Sequence, residues 1–578
     1  MRRMKQRLGV TLATALVLFP LMTPLAHAKT TSAAEMIKPH EASYGFYVDT
    51  YLNNTADNKT IYNNPAVGVT SEFYKYWSPE KGVLNPTILN MSIAATAKAS
   101  QNRTVAEEHR SFLTDRRNLP YTIVSGFGPY EDAFIKNSGA QTSYHGIPDK
   151  PVDKYDKAPK VPWANPNSRL GSIVQLINLN RLPYGKSGFP KKVYKYVRPY
   201  RQSPSTVIAD PYLVDFMAAA PQTDFDYPSG HGSAAFESGP TLGYVFPERF
   251  QQLVTRSSEI AYDRMLVGRH SALAVMGARS MGTAVTAGIL NDAKNADLIK
   301  KAYQEAHSDA LLHSPLITNH DEFGNYQENK KNYRYRLTFG LPQIGDKNIG
   351  FRVPKGAEVL LATRLPYLSH NQRRMVLATT ELPSGYPVLD DAEGWGRLDL
   401  FSAANGYGAL PAKTTVTMDA TKGGFNAKDV WRNDIKGTGK LIKQGSGDLT
   451  LKGDNSFKGG LQVNGGNLNL AAKNAAGSGQ LKVQGGTLAT SAAVKLQRGY
   501  QQTKRGTLAL TVTKATALKI KGKAQLAGTL RLNNVKGAKN HQALITFGSR
   551  QGKFLNVIGA PKGWHLQYNA HSIALVRG

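Results

Sequence analysis

Three short segments of this 578-residue chain carry residue types whose spacing is suited to phosphoryl chemistry. They are Lys191-x6-Arg198-Pro199, Pro228-Ser229-Gly230-His231 and Arg264-x5-His270, in that order within 80 residues. Together they supply three cations and two imidazoles. That inventory can hold a phosphoryl group and pass it through a histidine without a metal.

Each segment implies a local structure. Lys191 and Arg198 are seven apart, so on a continuous helix both would project from one face. Pro199 disfavours helix at Arg198 and should leave its guanidinium, a bidentate fork suited to phosphate, at a helix mouth. Pro228 and Gly230 predict a tight turn into a helix over residues 233–245. Backbone amides at that N-terminus, with the Ser229 hydroxyl, would bind oxyanions, and His231 would stand beside the phosphate to protonate a leaving alkoxide. Arg264 and His270 are six apart and would face different ways on one helix. Gly268 offers the break that turns both toward one site, where the imidazole of His270 can attack phosphorus.

The order and spacing of these motifs resemble the type 2 phosphatidic acid phosphatase superfamily, which includes bacterial class A acid phosphatases and vanadium haloperoxidases. The resemblance covers residues 165–290 in detail. It implies an all-α helical-bundle phosphatase domain in which Lys191, Arg198 and Arg264 bind phosphate, Ser229 and Gly230 form the oxyanion turn, His231 is the general acid and His270 the nucleophile. It implies no metal and no cofactor, and phosphomonoesters as substrates. The family continues its third motif as His-x3-Asp, whereas position 274 here is Ala. The candidates for the role of that acid are a backbone carbonyl, Asp263 and Glu237.

The elements that must position these residues are mostly helical. Residues 170–179, 233–245, 249–267 and 272–290 carry apolar side chains at helical spacings, broken by Gly and Pro. A basic amphipathic segment follows at residues 371–379, then a loop at 390–396. Pro383-Ser384-Gly385 repeats part of the second motif, but Tyr386 replaces its histidine, and the segment reads as a turn. Tyr194, Tyr196 and Tyr200 beside the first motif are expected in the core. The other histidines, such as His40, His109, His145 and His320, lack zinc-ligand spacing, and no Walker loop or Gly-x-Ser-x-Gly elbow occurs.

From about residue 412 the texture changes to short alternating runs punctuated by Gly and Asn. The phrase at residues 461–470 recurs near 481–488, and weaker echoes follow at 506–510 and 528–532. A period of about 20 residues with strand-turn-strand chemistry predicts an all-β solenoid. Residues 437–470 are similar to the autotransporter-associated β-strand repeat of secreted passenger domains. Only 46 residues follow Leu532, fewer than an outer-membrane barrel needs, so no such barrel is expected within this sequence.

Charge and composition complete the organisation. The net charge is +31, and it is uneven: residues 411–578 hold 26 Lys+Arg against 5 Asp, and no acid follows Asp454. Such a tail should seek a polyanion, expected to be an anionic cell-envelope polymer, teichoic acid or lipopolysaccharide, rather than nucleic acid. Residues 1–28 read as a signal peptide with a basic start, an apolar stretch and Ala26-His27-Ala28 as the cleavage site. No later apolar run suggests a membrane span, and the absence of cysteine excludes disulfides and thiolate metal sites.

The sequence therefore predicts a multidomain secreted or surface-associated chain: signal peptide 1–28, phosphatase-like domain 29–411 and basic β-solenoid 412–578. The expected activity is metal-independent acid phosphatase chemistry through a phosphohistidine. The alternatives are a catalytically degenerate domain acting as a surface-binding adhesin, a vanadium haloperoxidase with vanadate on His270, and a lipid phosphatase.

Overall fold

The computed structural model describes residues 32–149, 161–218, 222–513 and 515–578. The proposed signal peptide lies outside the described residues. A helical region carries the three motifs, and a parallel β-solenoid of about five turns follows it.

Six helices position the site: α1 (Pro86–Gln101), α2 (Val105–Arg116), α3 (Gly188–Tyr194), α4 (Gly230–Val245), α5 (Phe250–Leu266) and α6 (Ala272–Asn291). Their starts are written in the sequence. Asn85 caps α1 ahead of Pro86, Thr104 and Glu107 form a reciprocal capping box on α2, and Ser271 Oγ accepts from Ala274 N at the start of α6. The last three match predicted helical segments closely, and the predicted segment 170–179 is the helix Gly171–Leu179.

At the centre, α4 packs on both α5 and α6. Small residues allow that approach. A Cβ at Gly239 of α4 would lie 1.9 Å from Ser257 Oγ on α5, and one at Gly282 of α6 would lie 2.5 Å from the Ser233 carbonyl on α4. Helix α6 is long and apolar enough to cross a membrane, yet from Ala272 to Leu290 it is buried by its neighbours. Its apolarity, missed as a span-length run in the sequence, is that of a central core helix.

Two expectations change. Lys191 and Arg198 do not share a helix: α3 ends at Tyr194, Lys195 takes a left-handed conformation at φ 51°, and Arg198 is extended before Pro199. Pro199 begins a short helical turn instead of closing a long one, consistent with its preference for a first helical position. The basic segment near residue 371 is the helix His370–Thr380, but Arg373 and Arg374 point inward. Arg374 donates to the carbonyls of Ile37, Val353 and Pro354, so it staples loops together.

The solenoid consists of two parallel sheets, with seven and ten strands among the described residues. Leu449, Leu468, Leu488, Leu508 and Leu530 stand in register along one sheet, and Leu441, Leu461 and Leu481 along the other; all are fully buried. Each coil thus buries its apolar face on the next. Asn455 bridges coils inside, accepting from Ile435 N at 2.8 Å and donating to the Ala475 carbonyl at 2.7 Å.

The parallel order stops at the far end. Strand Gln542–Gln551 pairs antiparallel with Ser572–Arg577, which pairs antiparallel with Trp564–Tyr568. This meander ends the parallel stacking and leaves Trp564–Tyr568 as the outermost strand of the sheet. The near end is covered by the helical region: Arg364 binds Asp429 at 2.8 Å, Trp431 Nε1 donates to Tyr367 Oη at 2.8 Å, and Asn433 donates to the carbonyls of Ser402 and Gly406.

Candidate functional site

All seven sequence-predicted site residues gather where the starts of α4 and α6 meet the end of α5. Helix α3 delivers Lys191, whose Nζ donates to the carbonyls of Phe225 and Asp226 at 2.9 Å each. That contact ties the first motif to the strip of chain that leads into the second. The extended run after Lys195 then carries Arg198 inward, where it is almost fully buried.

The second motif is a capped helix start. Ser229 is extended and accepts from Gly232 N at 3.2 Å, and its own amide donates to the Ala274 carbonyl at 2.9 Å. The early amides of α4, those of Gly230 and His231 among them, have no acceptor in the preceding turn and suit an anion. His231 Nε2 lies 3.3 Å from the Asp115 carbonyl at the end of α2.

The third motif folds back on itself. Helix α5 ends at Leu266, Gly268 sits at φ 73°, and the amides of Arg269 and His270 both donate to the Arg264 carbonyl, at 3.1 and 3.0 Å. This loop turns Arg264 and His270 to the same side, as the glycine predicted.

Acids hold the cations in place. Asp115 accepts from Arg264 Nη2 at 2.5 Å and from Arg269 Nη1 at 3.2 Å; Asp224 pairs with Arg198. Arg264 Nε and Nη1 and Arg198 Nε are buried with no hydrogen-bond partner among the described residues. Buried guanidinium donors left unpaired are costly, and an oxyanion placed among them would satisfy them.

The imidazole of His270 is fixed from both sides. Its Nδ1 lies 2.8 Å from Asp226 Oδ1, and its Nε2 lies 2.5 Å from Arg198 Nη1. Arg198 Nη1 also lies 3.2 Å from Nδ1, but a guanidinium only donates and a carboxylate only accepts, so the shorter contact at each nitrogen suits a ring with its lone pair on Nε2 and its proton on Nδ1. Burial, then Arg198 and Lys191, push the His270 pKa well below its usual value, which keeps the ring neutral and nucleophilic. Burial and Arg264 push His231 down in the same direction. Burial works to raise the Asp115 carboxyl, but Arg264 and Arg269 hold it well below the usual carboxylate range. At Asp226 burial prevails and raises the carboxyl, against the pull of Arg198 and Lys191.

Residues 184–297 match the model of the PAP2 superfamily, spanning all three motifs, and residues 441–470 match the passenger-associated-transport-repeat. The chain carries a PAP2 superfamily domain. Behind that PAP2 domain stands a passenger-type repeat. The chain is 36% identical over 132 residues to the Neisserial autotransporter lipoprotein NalP of Neisseria meningitidis serogroup B, a stretch covering 23% of this chain and 12% of that protein. It is 29% identical over 144 residues to an extracellular serine protease of Serratia marcescens, covering 20% and 14%. Serotype-specific antigen 1 of Mannheimia haemolytica is 29% identical over 119 residues, covering 20% and 12%. The chain thus spans only a small part of these relatives' length.

The two acids named as substitutes for the PAP2 acid are engaged elsewhere. Asp263 is taken by Arg110 at 2.8 Å and Thr114 at 2.6 Å, and Glu237 lies against Arg181 at 3.5 Å. Among the described residues the partner of His270 Nδ1 is the carboxylate of Asp226 rather than a backbone carbonyl. Sequence reasoning missed Asp226, Asp224, Asp115 and Arg269. Asp226 had a signal, since it stands two residues before Pro228 of the second motif, whereas Asp115 lies 149 residues before Arg264 and had none.

Proposed function

We propose that this chain is a secreted or surface-associated acid phosphatase that hydrolyses phosphomonoesters through a phosphohistidine. The observation that carries this reading is the buried imidazole of His270, with Nδ1 2.8 Å from the Asp226 carboxylate and Nε2 2.5 Å from Arg198, set among buried guanidinium groups that have unpaired donors. In the proposed reaction Arg198, Arg264, Lys191 and the Ser229-Gly230 turn hold the non-bridging oxygens. Nε2 attacks phosphorus, an N–P bond forms and the P–O bond to the alcohol breaks. His231 gives its proton to the leaving oxygen, then takes one from the water that cleaves the N–P bond and releases phosphate. Arg198 leaves Nε2 for a phosphate oxygen as substrate arrives, since its present position lies across the line of attack.

The test is hydrolysis of an aryl phosphate by the chain from Lys29 between pH 4 and 8, beside His270→Ala. Turnover that vanishes in His270→Ala supports the reading. Phosphate binding without turnover would instead identify a degenerate domain retained for binding.

The solenoid is proposed to hold the enzyme at an anionic envelope polymer, teichoic acid or lipopolysaccharide. Its support is a lysine row on the outer face of the ten-stranded sheet. Lys495 pairs directly opposite Lys519 while their neighbours Val494, Leu496, Leu518 and Ile520 are buried, so both ammonium groups project outward. Like charges opposite one another destabilise a sheet, and no acid after Asp454 offsets them. The similarity to an autotransporter lipoprotein and an extracellular protease supports an exported location.

A further inference from the structure

In the family's pattern the acid that orients the nucleophilic histidine lies four residues after it, on the same helix. Here that position is Ala274, buried, with its amide donating to Ser271 Oγ at 3.2 Å and its carbonyl accepting from Ser229 N at 2.9 Å. Its methyl group can neither accept a hydrogen bond nor carry charge. The structure places one carboxylate against the imidazole, and it arrives from a different part of the chain.

We propose that Asp226 is the positioning acid of His270, supplied from in front of the second motif in place of the missing acid of the third. The inference rests on the phosphohistidine reading of the same site. Asp226 Oδ1 lies 2.8 Å from His270 Nδ1, with the two side chains 0% and 3% exposed. The carboxylate cannot rotate freely, because both its oxygens also lie against Ser271 N, at 3.2 and 3.3 Å. The backbone of Asp226 is fixed as well: its amide donates to the Tyr196 carbonyl at 2.7 Å and its carbonyl accepts from Lys191 Nζ at 2.9 Å. Every bond thus joins Asp226 to the first motif or the third.

The arrangement does what an orienting acid must do. Accepting from Nδ1–H fixes the tautomer that leaves the Nε2 lone pair for phosphorus, and a carboxylate there stabilises the positive charge that develops on the ring as the N–P bond forms. Nothing transfers to Asp226 in this role; it acts through His270. Its reach also joins two demands that the usual pattern keeps apart. One residue orders the nucleophile, and through its carbonyl it also holds the phosphate-binding Lys191.

Two measurements test this. The first is the tautomer of His270 in the full native chain, read by long-range ¹⁵N–¹H correlation at neutral pH. The expected result is a proton on Nδ1; a proton on Nε2 overturns the proposal. The second is Asp226→Asn, checked by circular dichroism for retained fold. An amide can present its NH₂ to Nδ1 and flip the tautomer, the defect that costs a serine-protease triad about 10⁴-fold in kcat. The expected loss is on the order of 10³- to 10⁴-fold in kcat with KM within a few-fold. A folded variant that keeps kcat within fivefold overturns the proposal. If the native chain has no turnover, the phosphatase reading fails, but the tautomer measurement still decides the role of Asp226.

Discussion

The two halves of this molecule use positive charge in opposite ways. Around the site the guanidinium groups are buried and paired with acids, Arg264 and Arg269 with Asp115 and Arg198 with Asp224, while Lys191 is held by two carbonyls and the imidazole of His270 by Asp226. In the solenoid after Asp454, 18 Lys+Arg occur with no acid, and residues such as Lys519, Lys521 and Lys523 are exposed. Buried charge demands a partner because desolvation is expensive, whereas exposed charge is screened and tolerated. The first arrangement suits a single compact anion held at close range. The second suits a long anion met along a surface.

The largest break in that comparison comes from removing one buried cation. Arg264→Ala leaves Asp115 facing only Arg269 and Arg116 and strips the site of a fork with two unpaired donors. Removing one partner of a buried pair costs about 3–5 kcal/mol, and loss of such a transition-state donor costs on the order of 10²- to 10³-fold in kcat. Thermal melting and aryl phosphate kinetics together check this. A variant that melts like the native chain would show that Asp115 does not depend on Arg264.

An intermediate effect concerns the general acid. Burial and Arg264 lower the pKa of His231 in the unliganded site, so its proton is lost as pH rises through a value below the usual 6.5. A bound phosphate adds negative charge beside it and favours the protonated ring. The alkaline limb of kcat/KM reports the free enzyme and that of kcat the complex. After correction for the substrate's own ionisation, kcat is expected to fall at higher pH than kcat/KM. Coincident limbs would show that phosphate does not retune His231.

How far the sequence foretold this arrangement depends on how local each requirement is. The starts of α4 and α6 were legible because a capping serine and the following small residues act within one turn. The fold-back from Arg264 to His270 was legible because a single glycine supplies the left-handed residue it needs. Helicity through Arg198 was a wrong expectation, because the chain leaves the helix at Lys195, where tertiary contacts to Tyr196 and Arg198 outweigh propensity. Asp115 was invisible because α2 reaches the site by tertiary packing on α5, which no local spacing encodes. The antiparallel end of the solenoid was hidden for a related reason: its strands lie past the last repeat echo at 528–532, and their direction is set by which strands pair.

The smallest effect sharpens the solenoid side. Lys495→Glu places an acid directly opposite Lys519 in the parallel sheet and lowers the charge of that face. A like-charge pair becomes an opposite pair, worth roughly 0.2–1 kcal/mol in favour of the fold. Lys495 belongs to the solenoid rather than to the phosphate site, so kcat toward a small aryl phosphate should stay at the native value. Adsorption to purified lipopolysaccharide or teichoic acid should weaken and should be released at lower salt, because screening has fewer positive charges to overcome. Stability that rises while adsorption falls would mean that this face carries excess charge at the expense of its own fold, in favour of a partner. If adsorption were unchanged, the lysine row would be only a solvated surface, and the contrast between the two halves would reduce to burial alone.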